Sequence, residues 1–386
     1  MDHAGVVVVR LHATGSAVGV ERTLIGRIAT DSSNAEASWL WWNASSPPGD
    51  VSDCLGVITP QTADDWRLPV PLVHSVQQLD YLASGDVIAA DPNGFVRTLY
   101  RKASPHNFIL MTEQCNSYCL MCSQPPKPID DFDRLQEHLR LIDLIDPETG
   151  ELGITGGEPT LFKDGFLELI RHCKERLPRT ALHVLTNGRL FYYRSFAEKL
   201  GAIAHPDLVL GIPLYSDVDS GHDHVVQAKG AFEQTALGLL HLDRYDVSVE
   251  IRVVVHRLTY RRLARLAELI VRNFPFACHV ALMGLEMFGF VHGNLEQLWI
   301  DPADYQEELF AATEILSLAG MNVSIYNHQL CVLDPRLWRF AKRSISDWKN
   351  VYLDECERCD VRAECGGFFV SGTKIRSRDI RAISRG

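Results

Sequence analysis

The chain has 386 residues, 46% hydrophobic and 23% charged, a composition that excludes disorder and provides for a large core plus appendages. A net charge of −11 argues against nucleic acid or an anionic membrane as a general partner, because both reward a basic face. No apolar run approaches the roughly 18–20 residues needed to span a bilayer, and the start, with Asp2 ahead of a short valine run, lacks a basic secretory n-region. A soluble cytoplasmic protein is expected.

Residues 1–105 read as a β-rich domain of unknown role. Strands are expected at Val6–Leu11, Thr23–Ile28, Leu55–Ile58, Val87–Ala89 and Phe95–Tyr100, with Asp91-Pro-Asn-Gly94 as a hairpin turn. The Ser/Pro/Gly-rich stretch Asp31–Asp50 contains Trp39-Leu-Trp-Trp42, either an exposed peptide-binding patch or a strand anchored in its own core. From 106 to 320 apolar strands alternate with amphipathic helices. The strands are expected at Asn107–Thr112, Glu151–Thr155, Ala181–Thr186, Asp207–Pro213, Val247–Val255 and Cys278–Gly284. Phe132, Leu135, Leu139, Ile142 and Ile145 fall at helical spacing. Six such units imply right-handed crossovers and a parallel sheet, either a full or partial barrel or a flat doubly wound sheet. Residues 321–386 end in a basic tail (Lys374, Arg376, Arg378, Arg381, Arg385), expected to be solvated and frayed.

Ten cysteines in a long chain without an export signal point to metal rather than disulfides. Cys54, Cys173 and Cys278 stand alone and are expected to be buried core thiols. The other seven form two groups. Cys115, Cys119 and Cys122 lie within eight residues directly after a strand. Three soft thiolates on one loop suit a 4Fe–4S cluster with one iron left open, or a zinc site completed elsewhere; zinc more often uses paired CxxC halves.

CxxxCxxC after the first strand of a βα repeat resembles the radical S-adenosylmethionine (SAM) superfamily. Ile154-Thr-Gly-Gly-Glu-Pro159, one strand later, matches its GGEP motif. The resemblance implies a partial (β/α)6 TIM-like barrel and a SAM-binding cluster on Cys115, Cys119 and Cys122. It also implies SAM contacts from Met121, Gly156, Gly157, Glu158, Pro159, Asn187, Ser216, Arg252, Gly284, Leu285 and Glu286. Of these, the GGEP residues would take the methionine amino group, Ser216 and Arg252 the ribose and carboxylate, and Gly284–Glu286 would flank the adenine. Met121 departs from the usual aromatic residue, at a position that offers mainly its backbone.

Longer blocks at Met111–Pro126, Glu148–Pro159, Tyr326–Cys331 and Ser344–Asn350 are similar to the HxsC-type maturases of His-Xaa-Ser systems. That likeness implies a His-Xaa-Ser repeat precursor peptide as substrate, a second radical SAM protein (HxsB) as partner, and an external electron donor. Cys356-x2-Cys359-x5-Cys365 resembles the auxiliary-cluster modules of peptide-modifying members (SPASM and twitch domains), and Cys331 is the remaining fourth ligand for an auxiliary 4Fe–4S cluster. A structural zinc site satisfies the same four thiols.

The chemistry so implied is a 5′-deoxyadenosyl radical that takes hydrogen from the peptide, leading to a cross-link, an epimerisation or a dehydrogenation. Two alternatives stand beside it: sulfatase-maturase-like oxidation of a Ser or Cys, and a non-catalytic metal-binding scaffold for a partner maturase. His222-Asp-His224 reads as a metal site or a helix start, and His328 as an acid near the second group or a structural histidine.

Overall fold

A computed structural model describes residues 11–30, 39–42, 51–343 and 351–385. Val6–Arg10, most of Asp31–Asp50 and all of the Ser344–Asn350 block lie outside the described residues.

Eight strands make the first sheet: β1 (His12–Thr14), β2 (Ser16–Val18), β3 (Leu24–Ala29), β4 (Trp39–Trp42), β5 (Gly56–Ile58), β6 (Leu72–His74), β7 (Val87–Ala90) and β8 (Phe95–Tyr100). Their order is β1-β8-β7-β3-β4-β5-β6-β2. The two ends of that order are separated in sequence by Gly15 alone, so one extended stretch pairs with β8 through its first half and with β6 through its second, closing the sheet on itself. Closure demands a residue without a side chain at the crossing. A Cβ on Gly15 would lie 2.3 Å from the His74 carbonyl oxygen and 2.6 Å from Val76 Cγ2. The β7–β8 hairpin turns at Asp91–Gly94, where the Asp91 carboxylate accepts from the Asn93 and Phe95 amides and Gly94 takes φ +78°. In β4, Leu40 and Trp42 are buried in the sheet's core, so the tryptophan motif is a structural strand between β3 and β5.

Seven parallel strands make the second sheet: β9 (Asn107–Leu110), β10 (Glu151–Thr155), β11 (Ala181–Leu185), β12 (Leu208–Pro213), β13 (Ser248–Val255), β14 (His279–Gly284) and β15 (Val323–Tyr326). They stand in chain order, each beside its successor. A doubly wound sheet reverses order at a switch point; this one winds in a single direction, which puts its right-handed crossovers on one face. The crossovers carry α1 (Leu135–Leu144), α2 (Asp164–Arg176), α3 (Arg194–Gly201), α4 (Asp219–Val226), α5 (Ala231–Arg244), α6 (Leu263–Asn273), the short α7 (Leu295–Leu298) and α8 (Gln306–Leu318).

The strand count corrects the expectation of six. β15 lies beyond residue 320 and pairs with β14 through Val280–Val323 and Met283–Tyr326. Its four residues are too short for periodicity to mark, and pairing along β14 makes it a strand.

β13 shows how the sheet divides its faces. Val249, Ile251, Val253 and Val255 are fully buried in the main core, while Glu250 and Arg252 point to the opposite face. Each buried aliphatic side chain there contributes about 1.5–3 kcal/mol. The first sheet docks on α1 and the turn after it: Arg27 donates to the Leu144 carbonyl (2.7 Å), Tyr100 bonds Thr149 (2.8 Å) and Lys102 pairs with Asp146 (2.7 Å). No helix among the described residues is long and apolar enough to cross a membrane.

Placing a methyl group at Gly15 tests the closure. Gly15→Ala is expected to lower unfolding stability by about 1–3 kcal/mol, the usual cost of overpacking, in chemical denaturation followed by tryptophan fluorescence.

Candidate active site

The loops after the parallel strands converge at one end of the sheet, where α/β folds place their reactive groups. The first loop, between β9 and α1, carries Cys115, Cys119 and Cys122. It is fixed from several sides. Tyr118 and Leu120 amides donate to Val226 and Val225 at the end of α4 (3.0 and 2.9 Å). The Cys122 carbonyl accepts from the Phe290 amide (2.9 Å), and Asn294 donates to the Leu120 carbonyl (2.9 Å). Met121 is buried in a cluster with Tyr215, Val225, Met287 and Val291, so its side chain serves packing.

The turn after β10 lies directly against this loop. Amides of Gly157 and Glu158 donate to the Thr112 and Gln114 carbonyls, both at 2.7 Å. A Cβ on Gly157 would sit 1.9 Å from the Gln114 carbonyl oxygen, so only glycine permits this approach. The Glu158 carboxylate is fully buried. It accepts from the Thr160 amide (3.0 Å), the Thr160 and Thr186 hydroxyls (2.5 and 2.6 Å) and the Asn187 amide (2.6 Å). Burial raises its pKa and the four donors oppose that rise. Pro159 opens the short turn that follows. Asn187, after β11, reaches Asn116 in the cysteine loop (2.6 Å), and Arg189 donates to the Asn116 carbonyl and to Ser117 (3.0 Å).

Ser216 follows β12 and is buried, its hydroxyl accepting from the Val218 amide (3.3 Å). Arg252 pairs with Glu250, which also binds His279 Nδ1 (2.7 Å); these partners overcome burial and hold Glu250 well below the usual carboxylate range. Tyr215 connects the regions. Burial raises its phenol pKa, and it lies within electrostatic range of Cys119, Arg252 and Cys122. Gly284, Leu285 and Glu286 line a cleft of about 60 Å³ together with Asn327, Phe369 and Arg376 from the C-terminal segment.

The chemistry of the thiols fits a cluster. Burial, joined by Glu158 beside Cys115 and by the neighbouring thiols, pushes Cys115 and Cys119 up to about 12, so a bound cation would be needed to hold them as thiolates. Among the described residues no three His, Cys, Asp or Glu side chains converge closely enough for a single metal ion. A cube of iron and sulfide, with its thiolates on different irons, spaces its ligands more widely than one ion does.

The segment that carries this loop, residues 109–270, matches the family model of the radical SAM superfamily. The cofactors of such a domain are a 4Fe–4S cluster and SAM, and it forms the catalytic core of enzymes. A comparison with curated proteins finds no relative. Among solved structures, this chain is similar to SuiB of Streptococcus suis bound to its precursor peptide SuiA, at 15% identity and TM-score 0.45 over 58% of this chain and 49% of SuiB. It also resembles anSMEcpe with bound AdoMet and a peptide, at 16% identity and TM-score 0.49, covering 72% of this chain and 92% of the other. HemN of Escherichia coli is similar at 14% identity and TM-score 0.43, over 56% and 52% of the two chains. The chain spans about half the length of SuiB.

Beyond residue 270, the second cysteine group places Cys356 on a short helical turn at Asp354–Arg358. Burial raises the Cys331 and Cys356 thiols; Cys331 feels Cys365 and Cys356, and Cys356 feels Cys365 and Cys359. Two expectations are corrected nearby, and one open reading is decided. The basic tail is not frayed: Arg378 pairs with Asp301 and Asp304, Arg385 with Glu364, and Arg376 with Glu355. Cys278 is exposed rather than buried, at the start of β14, while Cys54 and Cys173 are buried. His222 and His224 do not form a metal site: His222 is buried in α4, accepting from the Tyr215 amide, while Asp223 caps the next turn through the Gly230 and Phe232 amides. His328 is structural, bonded to Tyr305 (2.9 Å) and the Tyr326 carbonyl (2.8 Å).

Sequence reasoning missed Arg189, Asn116 and Glu250. Arg189 follows Asn187-Gly188 directly and Glu250 precedes Arg252 by one strand repeat, so proximity to the motifs was the available signal.

Two tests follow from this geometry. Glu158→Gln leaves at least one buried donor without an acceptor and is expected to lower stability by about 1–3 kcal/mol in chemical denaturation. Burial also depresses His222 and His328 to about 4 and His256 to about 3, against roughly 6.5 in the unfolded chain. The unfolded state therefore binds more protons below pH ~6.5, and the denaturation midpoint of the metal-free protein should fall steadily from there toward pH ~4.

Proposed function

We propose that this protein is a peptide-modifying radical SAM maturase of the HxsC type, acting on a ribosomally made His-Xaa-Ser repeat peptide. The contact of the Gly156-Gly157-Glu158 turn with the three-cysteine loop carries the assignment of the site, and the four sequence blocks between Met111 and Asn350 carry the choice of substrate. In this reading Cys115, Cys119 and Cys122 hold the SAM-binding 4Fe–4S cluster, and the two cofactors together supply one-electron chemistry ending in hydrogen abstraction from a substrate carbon.

The chain's own residues bind and orient. Backbone groups of Gly156, Gly157 and Met121 would contact SAM. Glu158 holds the loops after β10 and β11 in register, with three donors on Oε1 and the Asn187 amide on Oε2. Arg252, aimed by Glu250, offers a guanidinium to the SAM carboxylate, and Ser216, Asn187 and Gly284–Glu286 complete the pocket. Cys331, Cys356, Cys359 and Cys365 take a fully ligated auxiliary cluster suited to electron transfer. The same reading makes the single-direction sheet a partial barrel, residues 1–105 an accessory domain and 321–386 the auxiliary-cluster domain, in a cytoplasmic protein working with an HxsB-type partner and an electron donor.

Anaerobically reconstituted protein with SAM and a strong reductant should release 5′-deoxyadenosine, and the variant with Cys115, Cys119 and Cys122 all changed to Ala should release none. Mass spectrometry of a co-expressed His-Xaa-Ser repeat peptide then tests the substrate. A mass identical with and without the maturase, in the presence of its partner, removes that choice.

A further inference from the structure

Residues 378–385 form a strap across the second cysteine group. It is anchored at one end by Arg378, whose amide and side chain both engage Asp301 (3.0 and 3.2 Å). The other end is held by the Arg385 amide on the Asp360 carboxylate (2.7 Å) and the Arg385 side chain on Glu364 (2.8 Å). Between these anchors the strap touches one of the thiols itself. The Ile383 amide donates to Cys359 Sγ at 3.4 Å, while the Ile383 carbonyl accepts from the Asp360 amide at 2.9 Å, which fixes the peptide's direction. From the opposite side the Gly367 amide donates to Cys365 Sγ at 3.4 Å, at φ +64°, a conformation that suits glycine.

A backbone amide aimed at a cysteine sulfur gains most when that sulfur is a thiolate, because the bond is then charge-assisted. Two of the four thiols in this group have such an amide within bonding distance, Cys359 from the strap and Cys365 from Gly367. We propose that the strap sets the reduction potential of the cluster held by Cys331, Cys356, Cys359 and Cys365, with Ile383 as a positioning residue acting through its N–H on Cys359. This rests on the auxiliary-cluster reading above. The physical cause is electrostatic: reduction adds negative charge that spreads onto the cysteine sulfurs, and an N–H dipole pointing at a sulfur stabilises the reduced form more than the oxidised one. The strap therefore raises the potential and makes the cluster a better electron acceptor.

The test uses the full-length, anaerobically reconstituted protein, iron analysis, and redox titration of both clusters by electron paramagnetic resonance. Ile383→Pro removes the N–H; Ile383→Ala keeps it and trims only the side chain. The expected result is eight irons in each protein, a more negative midpoint for the second cluster in Ile383→Pro alone, and an unchanged first cluster. Equal midpoints with eight irons would overturn the inference and leave the cluster reading standing. Four irons in the wild type, lost when Cys115, Cys119 and Cys122 are changed to Ala, would overturn both. Should Ile383→Pro shed the cluster, wild-type protein labelled with 15N-isoleucine decides. A nitrogen hyperfine coupling on the reduced second cluster supports the bond, and its absence removes it.

Discussion

The carboxylate of Glu158 is the interaction on which the site depends. It sits out of water where the ends of β10 and β11 meet, with four donors directed at its two oxygens. An unpaired carboxylate at that depth would cost several kcal/mol, so the surrounding backbone has to adopt the conformation that supplies those donors. Its own amide and that of Gly157 then tie the cysteine loop to the same point through Gln114 and Thr112. Three loops from three strands are thereby registered against one buried group.

That registration explains why the glycines and asparagines of the motifs matter in different ways. Gly157 matters for what it lacks, since any Cβ would collide with the Gln114 carbonyl. Asn187 matters for its four polar groups: its amide meets Glu158, its carbonyl accepts from the Thr235 hydroxyl, its side-chain nitrogen meets Asn116, and its side-chain oxygen accepts from the Arg189 amide. On the far side of the sheet's mouth, Glu250 performs a comparable service for Arg252 and His279. The outcome is a set of side chains already directed before any ligand arrives, the arrangement that makes binding geometry reproducible.

The two cysteine groups are held by opposite means. The first lies on one continuous loop and is secured by neighbours from α4 and from the segment after β14. The second is assembled from residues spread between 331 and 365 and is enclosed by the last residues of the chain. A tail rich in arginine looks solvated in sequence, yet here its charges find Asp301, Asp304, Glu355 and Glu364 on the surface it crosses. Such exposed pairs contribute little singly, up to about 1 kcal/mol each, and it is their spacing along one strap that fixes its path.

The sequence by itself determined the parallel βα alternation, the hairpin at Asp91–Gly94 and the motifs that crowd one end of the sheet, because each is a local pattern of periodicity, turn residues or spacing. Strand positions from Asn107 to Gly284 agree with the sequence reading to within two residues at each end. The tertiary structure alone decided the rest. β15 and the strand halves around Gly15 are too short to carry a period and become strands only where a partner edge is offered. The structural role of Trp39–Trp42, the exposure of Cys278 and the docking of the tail all depend on what lies opposite in space. Local chemistry says which groups need partners; only the folded chain brings those partners, distant in sequence, within hydrogen-bonding reach.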